Sequence, residues 1–183
     1  TELWDFSLVD PDNRRPVDFE GRAQLLAGLS NDAAASPDRV AFMRDLFVQR
    51  ADGRIKLFLT AEALRYRRNH CALFQSGEYV PLKGIGEKHE HIFAFARIHE
   101  DESIIAVIPR LLARMIPDAR TPPLGEAGWK ETWLTMPDWG EGARVRNVFT
   151  GDVLRTVTRD GSRVLAVGEI FLHSPVAWLE RIS

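Results

Sequence analysis

The sequence predicts an α+β chain, with helices up to Ser76-Gly77 and an antiparallel β-sandwich after it. Three observations predict this. Between Asp18 and His70, capping residues and helix breakers bracket apolar residues at helical spacing. Beyond Gly77, short β-branched and aromatic runs alternate with turns. The composition is that of a folded globular chain: 183 residues, 45% hydrophobic and 27% charged.

Each element follows in order. Pro11 and Pro16 flank Asp12-Asn13-Arg14-Arg15, and proline restricts itself and its predecessor, so residues 1–17 read as an ordered loop. Asp18 is placed to cap a helix to about Leu29, with Phe19, Ala23, Leu26 and Ala27 near one face. Ser36-Pro37 reads as a cap with proline in the first turn, ahead of Val40, Met43, Phe47 and Val48. Asp52-Gly53 breaks that helix. A third runs from about Arg54 to His70, and Arg65, Arg67 and Arg68 in its last turns suit the negative end of the dipole.

Strands are predicted at 78–82, 91–97 and 103–108, with Glu100-Asp101 as a tight hairpin turn between the last two. Further runs lie at 131–135, 143–149 and 164–167, with Thr150-Gly151-Asp152 and Arg159-Asp160-Gly161 as turns. Six prolines and glycines between 109 and 128 make that stretch one long loop. The organisation is therefore 1–76, loop and helices, and 77–183, sandwich. Three helices without strands of their own need a partner layer, either the sandwich or a sheet outside this chain.

Charge excludes some functions. Lys and Arg total 24 against 26 for Asp and Glu, a net charge of −2. No segment has the basic excess that phosphate backbones require, so no nucleic acid is expected. No apolar run nears the ~20 residues of a membrane span, so no membrane partner is expected. The single Cys71 cannot form an internal disulfide, and a cytoplasmic location is the expectation. The chain opens Thr1-Glu2-Leu3-Trp4, without an initiator Met or a signal-like apolar stretch, and reads as having lost an upstream part.

Chemistry-bearing motifs are sparse. His89 and His91 would share one strand face, yet no third metal ligand follows at a suitable spacing; neither metal nor cofactor is expected. His70 beside Cys71 is a poor thiol–imidazole pair, because sequence neighbours at a helix end do not face each other. No Gly-x-Ser-x-Gly elbow is present, and Gly84-Ile85-Gly86 is too short for a phosphate loop. Trp129, Trp133 and Trp139 could stack on sugars, although packing is the commoner role of such rings. The opening loop holds Glu2, Trp4, Asp5, Phe6, Asp10, Asp12, Arg14 and Arg15, which suits either a binding surface or a solvated loop of weak ion pairs.

The stretch Thr1-Glu2-Leu3-Trp4-Asp5-Phe6-Ser7-Leu8-Val9-Asp10-Pro11-Asp12-Asn13-Arg14-Arg15-Pro16-Val17-Asp18 closely resembles a signature of the maltooligosyltrehalose synthases, in the alpha-amylase family. Similar in the same way are Asp52-Gly53-Arg54-Ile55-Lys56-Leu57, Ala72-Leu73-Phe74 with Gly77-Glu78-Tyr79, and residues 91–97. Val107-Ile108-Pro109-Arg110 and Pro175-Val176-Ala177-Trp178-Leu179 complete a resemblance that covers essentially the whole chain.

That resemblance implies helices from the end of a (β/α)8 barrel followed by an antiparallel β-sandwich C-terminal domain. Residues 1–17 would then lie at the C-terminal face of the barrel, where such enzymes keep their active sites. The implied reaction converts the reducing-end α-1,4 bond of a maltooligosaccharide into an α,α-1,1 bond, in trehalose biosynthesis. The family's three catalytic carboxylates belong to earlier barrel strands, and nothing in this chain matches their motifs. A C-terminal fragment, inactive alone, is therefore implied. Sugar contact carries over onto Asp10 and Arg14 of Asp-Pro-x-x-Arg, with Glu2, Trp4, Asp5 and Lys56 as further candidates. The alternative is a free-standing carbohydrate-binding or structural β-sandwich module.

Overall fold

A computed structural model describes residues 18–116 and 121–182. The chain divides into two units, Thr1–Asn69 and His70–Ser183, each taken by itself below.

In the first unit the described elements are helices. The Asp18 carboxylate accepts from the Gly21 amide at 2.8 Å and starts α1 (Phe19–Ala35). The helix outruns the expected end at Leu29 by almost two turns. Leu29 and Ala33, one turn apart, are both buried, and that apolar stripe carries the helix through Ser30, Asn31 and Asp32. It stops at Ser36, whose extended backbone (φ −74°, ψ 119°) is what the following proline demands.

The cap of α2 (Arg39–Val48) is Asp38, whose carboxylate accepts from the Ala41 amide at 2.9 Å. The sequence expectation of Ser36 as cap and Pro37 in the first turn is therefore shifted by two residues. Ser36 instead donates its hydroxyl to the Asp38 carbonyl at 2.9 Å. A one-turn 3-10 helix (Arg50–Asp52) and Gly53, at φ 79°, lead into α3 (Arg54–Asn69). That φ is left-handed, so glycine is the natural residue there.

Leu29, Met43, Leu46, Leu57 and Phe58 form the buried contacts of these helices, and Phe42 meets Phe58 edge-on at 5.2 Å. Arg39 donates to Glu62 at 3.0 Å. Phe19, Leu25, Val48 and Leu64 remain exposed.

The second unit opens with α4 (Cys71–Gln75), which packs on a sheet strand and places the division of the chain ahead of Ser76-Gly77. Among the described residues ten strands follow: β1 (Glu78–Leu82), β2 (Gly84–Gly86), β3 (Ile92–His99), β4 (Glu102–Pro109) and β5 (Thr132–Thr135). The rest are β6 (Arg144–Asn147), β7 (Val153–Arg155), β8 (Val157–Arg159), β9 (Ser162–Ala166) and β10 (Ala177–Ile182). One sheet runs β1-β3-β4-β10-β6-β7 and the other β2-β5-β9-β8. Every pairing is antiparallel.

Alternation along the strands directs one face of each sheet to a shared core. Ala94, Ala96, Ile105, Val107, Val145 and Leu179 come from the first sheet, Leu134 and Leu165 from the second. Short helices α5 (Gly125–Trp129) and α6 (Val167–Ile170) add Trp129, Val167 and Ile170.

The turns obey local chemistry. Glu100-Asp101 joins β3 to β4 where His99 pairs with Glu102, as expected. Asp160-Gly161 joins β8 to β9 with φ of 48° and 77°, the two left-handed residues of a type I′ hairpin. Strand β2 is unexpected, since Gly84-Ile85-Gly86 carries no strand signature. It forms because Gly86 (φ +95°) lets β2 lie against β5: a β-carbon there would sit 1.9 Å from the Glu131 carbonyl oxygen. The long stretch expected to be loop contains a 3-10 turn (Leu112–Arg114) and α5.

Candidate functional site

Of the expected sugar-contact residues, Glu2, Trp4, Asp5, Asp10 and Arg14 lie outside the described residues. Lys56 lies in the first turn of α3, partly buried, and its amide donates to the Gly53 carbonyl at 3.1 Å. The turn beneath it is held by Asp52. Its carboxylate accepts from the Arg54 amide at 2.9 Å and from Arg54 Nε at 2.8 Å, and Arg54 also reaches Gln49. The Asp52–Gly53–Arg54 sequence thus fixes the start of the helix that presents Lys56.

Slight desolvation raises the Asp52 pKa, but the Arg54 amide, guanidinium hydrogen bond and charge outweigh it, leaving the carboxyl below its usual 3.8. A carboxyl lowered in the folded state stabilises fully above the unfolded value and loses that contribution as pH falls through the folded one. Acidification below about pH 4 is therefore expected to loosen this turn. The Arg54 amide shift, followed by NMR, should titrate with Asp52; in Asp52→Asn it should not. An unchanged titration in that variant would assign the effect elsewhere.

The three tryptophans do not form one platform. Trp129 is fully buried; its Nε1 donates to the Pro123 carbonyl at 2.8 Å and its ring meets Phe171 at 5.0 Å. Trp133, on β5, lies under the Arg159 guanidinium at 4.9 Å, and its Nε1 is buried without a hydrogen-bond partner. Trp139, in the loop after β5, is partly buried at the core margin under Arg181, 5.7 Å from the ring centroid.

The histidines take different positions from those expected. His89 and His91 occupy a 3-10 turn ahead of β3 instead of one strand face. His91 is 4% exposed, with Nδ1 3.3 Å from the Arg110 carbonyl and Nε2 3.6 Å from Glu90. Among the described residues no group of three or more His, Cys, Asp or Glu could hold a metal. His70 points to Glu102 at 3.1 Å, and Cys71 is exposed. No helix among the described residues is long and apolar enough to cross a membrane.

A cleft that sequence reasoning missed lies at one end of the larger sheet. Asp101, Trp139, Gly142, Arg144 and Arg181 line about 460 Å3 there. They come from three separate segments, which no sequence motif unites.

No protein-family model matches the chain. Two curated Mycobacterium tuberculosis proteins, of strains H37Rv and CDC 1551 / Oshkosh, are each 33% identical to it over 138 residues. Both are named as maltooligosyl trehalose synthases, and the match covers 75% of this chain and 14% of theirs. The solved maltooligosyltrehalose synthase from Arthrobacter ramosus superposes with a TM-score of 0.65 at 31% identity. That alignment covers 98% of this chain and 19% of the Arthrobacter chain. The chain therefore belongs to the maltooligosyltrehalose synthase family, and it spans about one-seventh of the length of its curated relatives.

Proposed function

We propose that these residues are the C-terminal part of a (1→4)-α-D-glucan 1-α-D-glucosylmutase, an intramolecular glucosyltransferase of the alpha-amylase family. The observation that carries this reading is the 31% identity to the Arthrobacter enzyme over 98% of the chain. On this reading residues 1–76 are the closing loop and helices of a (β/α)8 barrel, and 77–183 an appended β-sandwich. The exposed Phe19, Leu25, Val48 and Leu64 support it, since barrel helices bury such side chains on neighbouring layers.

The parent acts on maltooligosaccharides in the cytoplasm. Two carboxylates from earlier strands carry out a retaining displacement: one forms the glycosyl-enzyme while the other protonates the leaving oxygen. The released glucose stays bound, turns, and attacks through its anomeric hydroxyl. Water must be kept out, because hydrolysis of the same intermediate would yield free sugar.

The role of this chain is to hold sugar. The Arg14 guanidinium offers a planar fork to neighbouring hydroxyls, and the Asp10 carboxylate accepts from them. Glu2, Trp4, Asp5 and Lys56 extend that surface. The mutase carboxylates lie outside this chain, so it has no turnover of its own.

The test is an assay of the longer polypeptide on maltopentaose. Loss of reducing ends without release of glucose is the expected outcome. Steady glucose release with the reducing-end count rising would make the parent a hydrolase and overturn the reading. A free-standing glucan-binding or structural module is the second reading, favoured by one observation only, the open cleft at Trp139.

A further inference from the structure

Another cavity of the His70–Ser183 unit is built where two chain segments are fastened to each other. The Glu87 amide donates to the Glu131 carbonyl at 3.2 Å, and the Lys88 amide donates to Thr132 Oγ1 at 3.0 Å. The turns that carry Lys88 and Lys130 are thereby held side by side. The apolar wall is fixed as well. Trp129 Nε1 donates to the Pro123 carbonyl at 2.8 Å, and a β-carbon on Gly128 would sit 3.0 Å from Pro123 Cα, so α5 lies directly on the Pro122-Pro123 segment. Met115, Ile116, Pro122 and Leu124 line a space of about 460 Å3, together with Lys88 and Lys130. That volume lies within the roughly 300–1,000 Å3 of small-ligand sites.

The two lysines are not explained by the fold. Lys88 is partly buried, yet among the described residues its ammonium has neither an ion pair nor a hydrogen bond. Lys130 stands at φ 48° and ψ −145°, a backbone conformation that favours glycine. Its ammonium meets Glu87 at 3.2 Å, but the two side chains are 57% and 53% exposed. An exposed pair of this kind contributes less than such strain costs. Stability therefore does not account for lysine at this position, whereas a second positive charge at the cavity does.

The lining selects a ligand by exclusion. A wholly apolar molecule would desolvate Lys88 without supplying a counter-charge, and a cation would meet two like charges. An inorganic anion would leave the apolar wall uncovered, and the hydroxyls of a neutral sugar would face it without partners. A short apolar body bearing one carboxylate satisfies both surfaces. Its chain displaces water from the wall, and its oxygens accept from the ammonium groups.

We propose that this cavity binds an amphipathic carboxylate, held by Lys88 and Lys130 at its head and by Met115, Ile116, Pro122 and Leu124 along its apolar body. The inference rests on the lining alone and not on the isomerase reading.

The experiment is titration of the 183-residue chain with octanoate to about 10 mM, above weak millimolar affinities, with sulfate, n-octylammonium and maltohexaose in parallel. The chain has three methionines, and the Met115 methyl NMR signal should shift saturably with octanoate alone. The methyl of Met43, buried among the helices of the other unit, should stay in place. Lys88→Met removes the charge but keeps an unbranched stem, and should weaken binding roughly tenfold, the scale of losing a hydrogen bond to a charged group. Lys130→Gly should weaken it similarly while the melting temperature holds or rises, because glycine relieves the backbone. A structural lysine would behave the other way, its loss changing stability and leaving binding alone. No saturable shift at Met115, or binding indifferent to both substitutions, would overturn the proposal. So would an equal response to n-octylammonium, which makes the cavity merely apolar, to sulfate, which makes it a simple anion site, or to maltohexaose, which makes it a sugar site. Should Lys88→Met fail to fold, Lys130→Gly decides.

Discussion

Alanine at Arg14 in the longer enzyme is expected to lower kcat/KM by roughly 10²-fold. That corresponds to about 3 kcal/mol, the expected cost if, as proposed, the Arg14 guanidinium makes two hydrogen bonds to the sugar. The melting temperature should barely change, because a side chain reserved for a ligand, as proposed for Arg14, contributes little to packing. Lysine at the same position should recover only part of the rate, since a point charge cannot span two hydroxyls. Steady-state kinetics beside thermal unfolding separates the alternatives. Intact kinetics with a large drop in stability would make Arg14 a structural residue and move sugar recognition elsewhere.

Trp129→Ala should destabilise the His70–Ser183 unit by about 3–5 kcal/mol, the usual range for removing a buried large aromatic. Two losses combine. The indole is 0% exposed and packs against Phe171 at 5.0 Å, so a cavity replaces it. Its Nε1–H also satisfies the Pro123 carbonyl at 2.8 Å, which would be left without that donor. Trp129→Phe, which keeps part of the volume but not the donor, should cost distinctly less. Denaturant unfolding followed by circular dichroism measures both. A loss below about 1 kcal/mol for Trp129→Ala would mean that the site collapses around the deletion.

These residues also show where sequence was informative. The start of α1 is legible because a side chain carries the signal, Asp18 capping it from its own position, whereas α2 is capped by Asp38 and not by the expected Ser36. The end of α1 is not legible, because burial of Leu29 and Ala33 overrides the cap-forming residues between them. Strands β3 and β4 stand out through their β-branched and aromatic runs and the turn at Glu100-Asp101. Strand β2 is invisible, since two glycines around one isoleucine have no periodicity and the strand exists through its approach to β5. The three tryptophans look alike in sequence, yet only folding makes Trp129 core and leaves Trp139 at a cleft.

The site divides along the same line. Asp10 and Arg14 are proposed only through the resemblance carried by the opening residues, because charge, proline and aromatic content equally describe a solvated loop. Lys56 is presented by a turn whose logic is local, from Asp52 through Arg54. The cleft around Trp139 assembles residues from 101 to 181, brought together by antiparallel register. Local pattern carries no trace of such a site.

The most direct measurement compares the 183-residue chain with the longer polypeptide on the same maltopentaose, following anomeric proton signals. The account predicts an α,α-1,1 product from the longer polypeptide and none from the 183 residues, however long they are incubated. Appearance of that product with the 183 residues alone would place the acid–base machinery inside this chain and contradict the account.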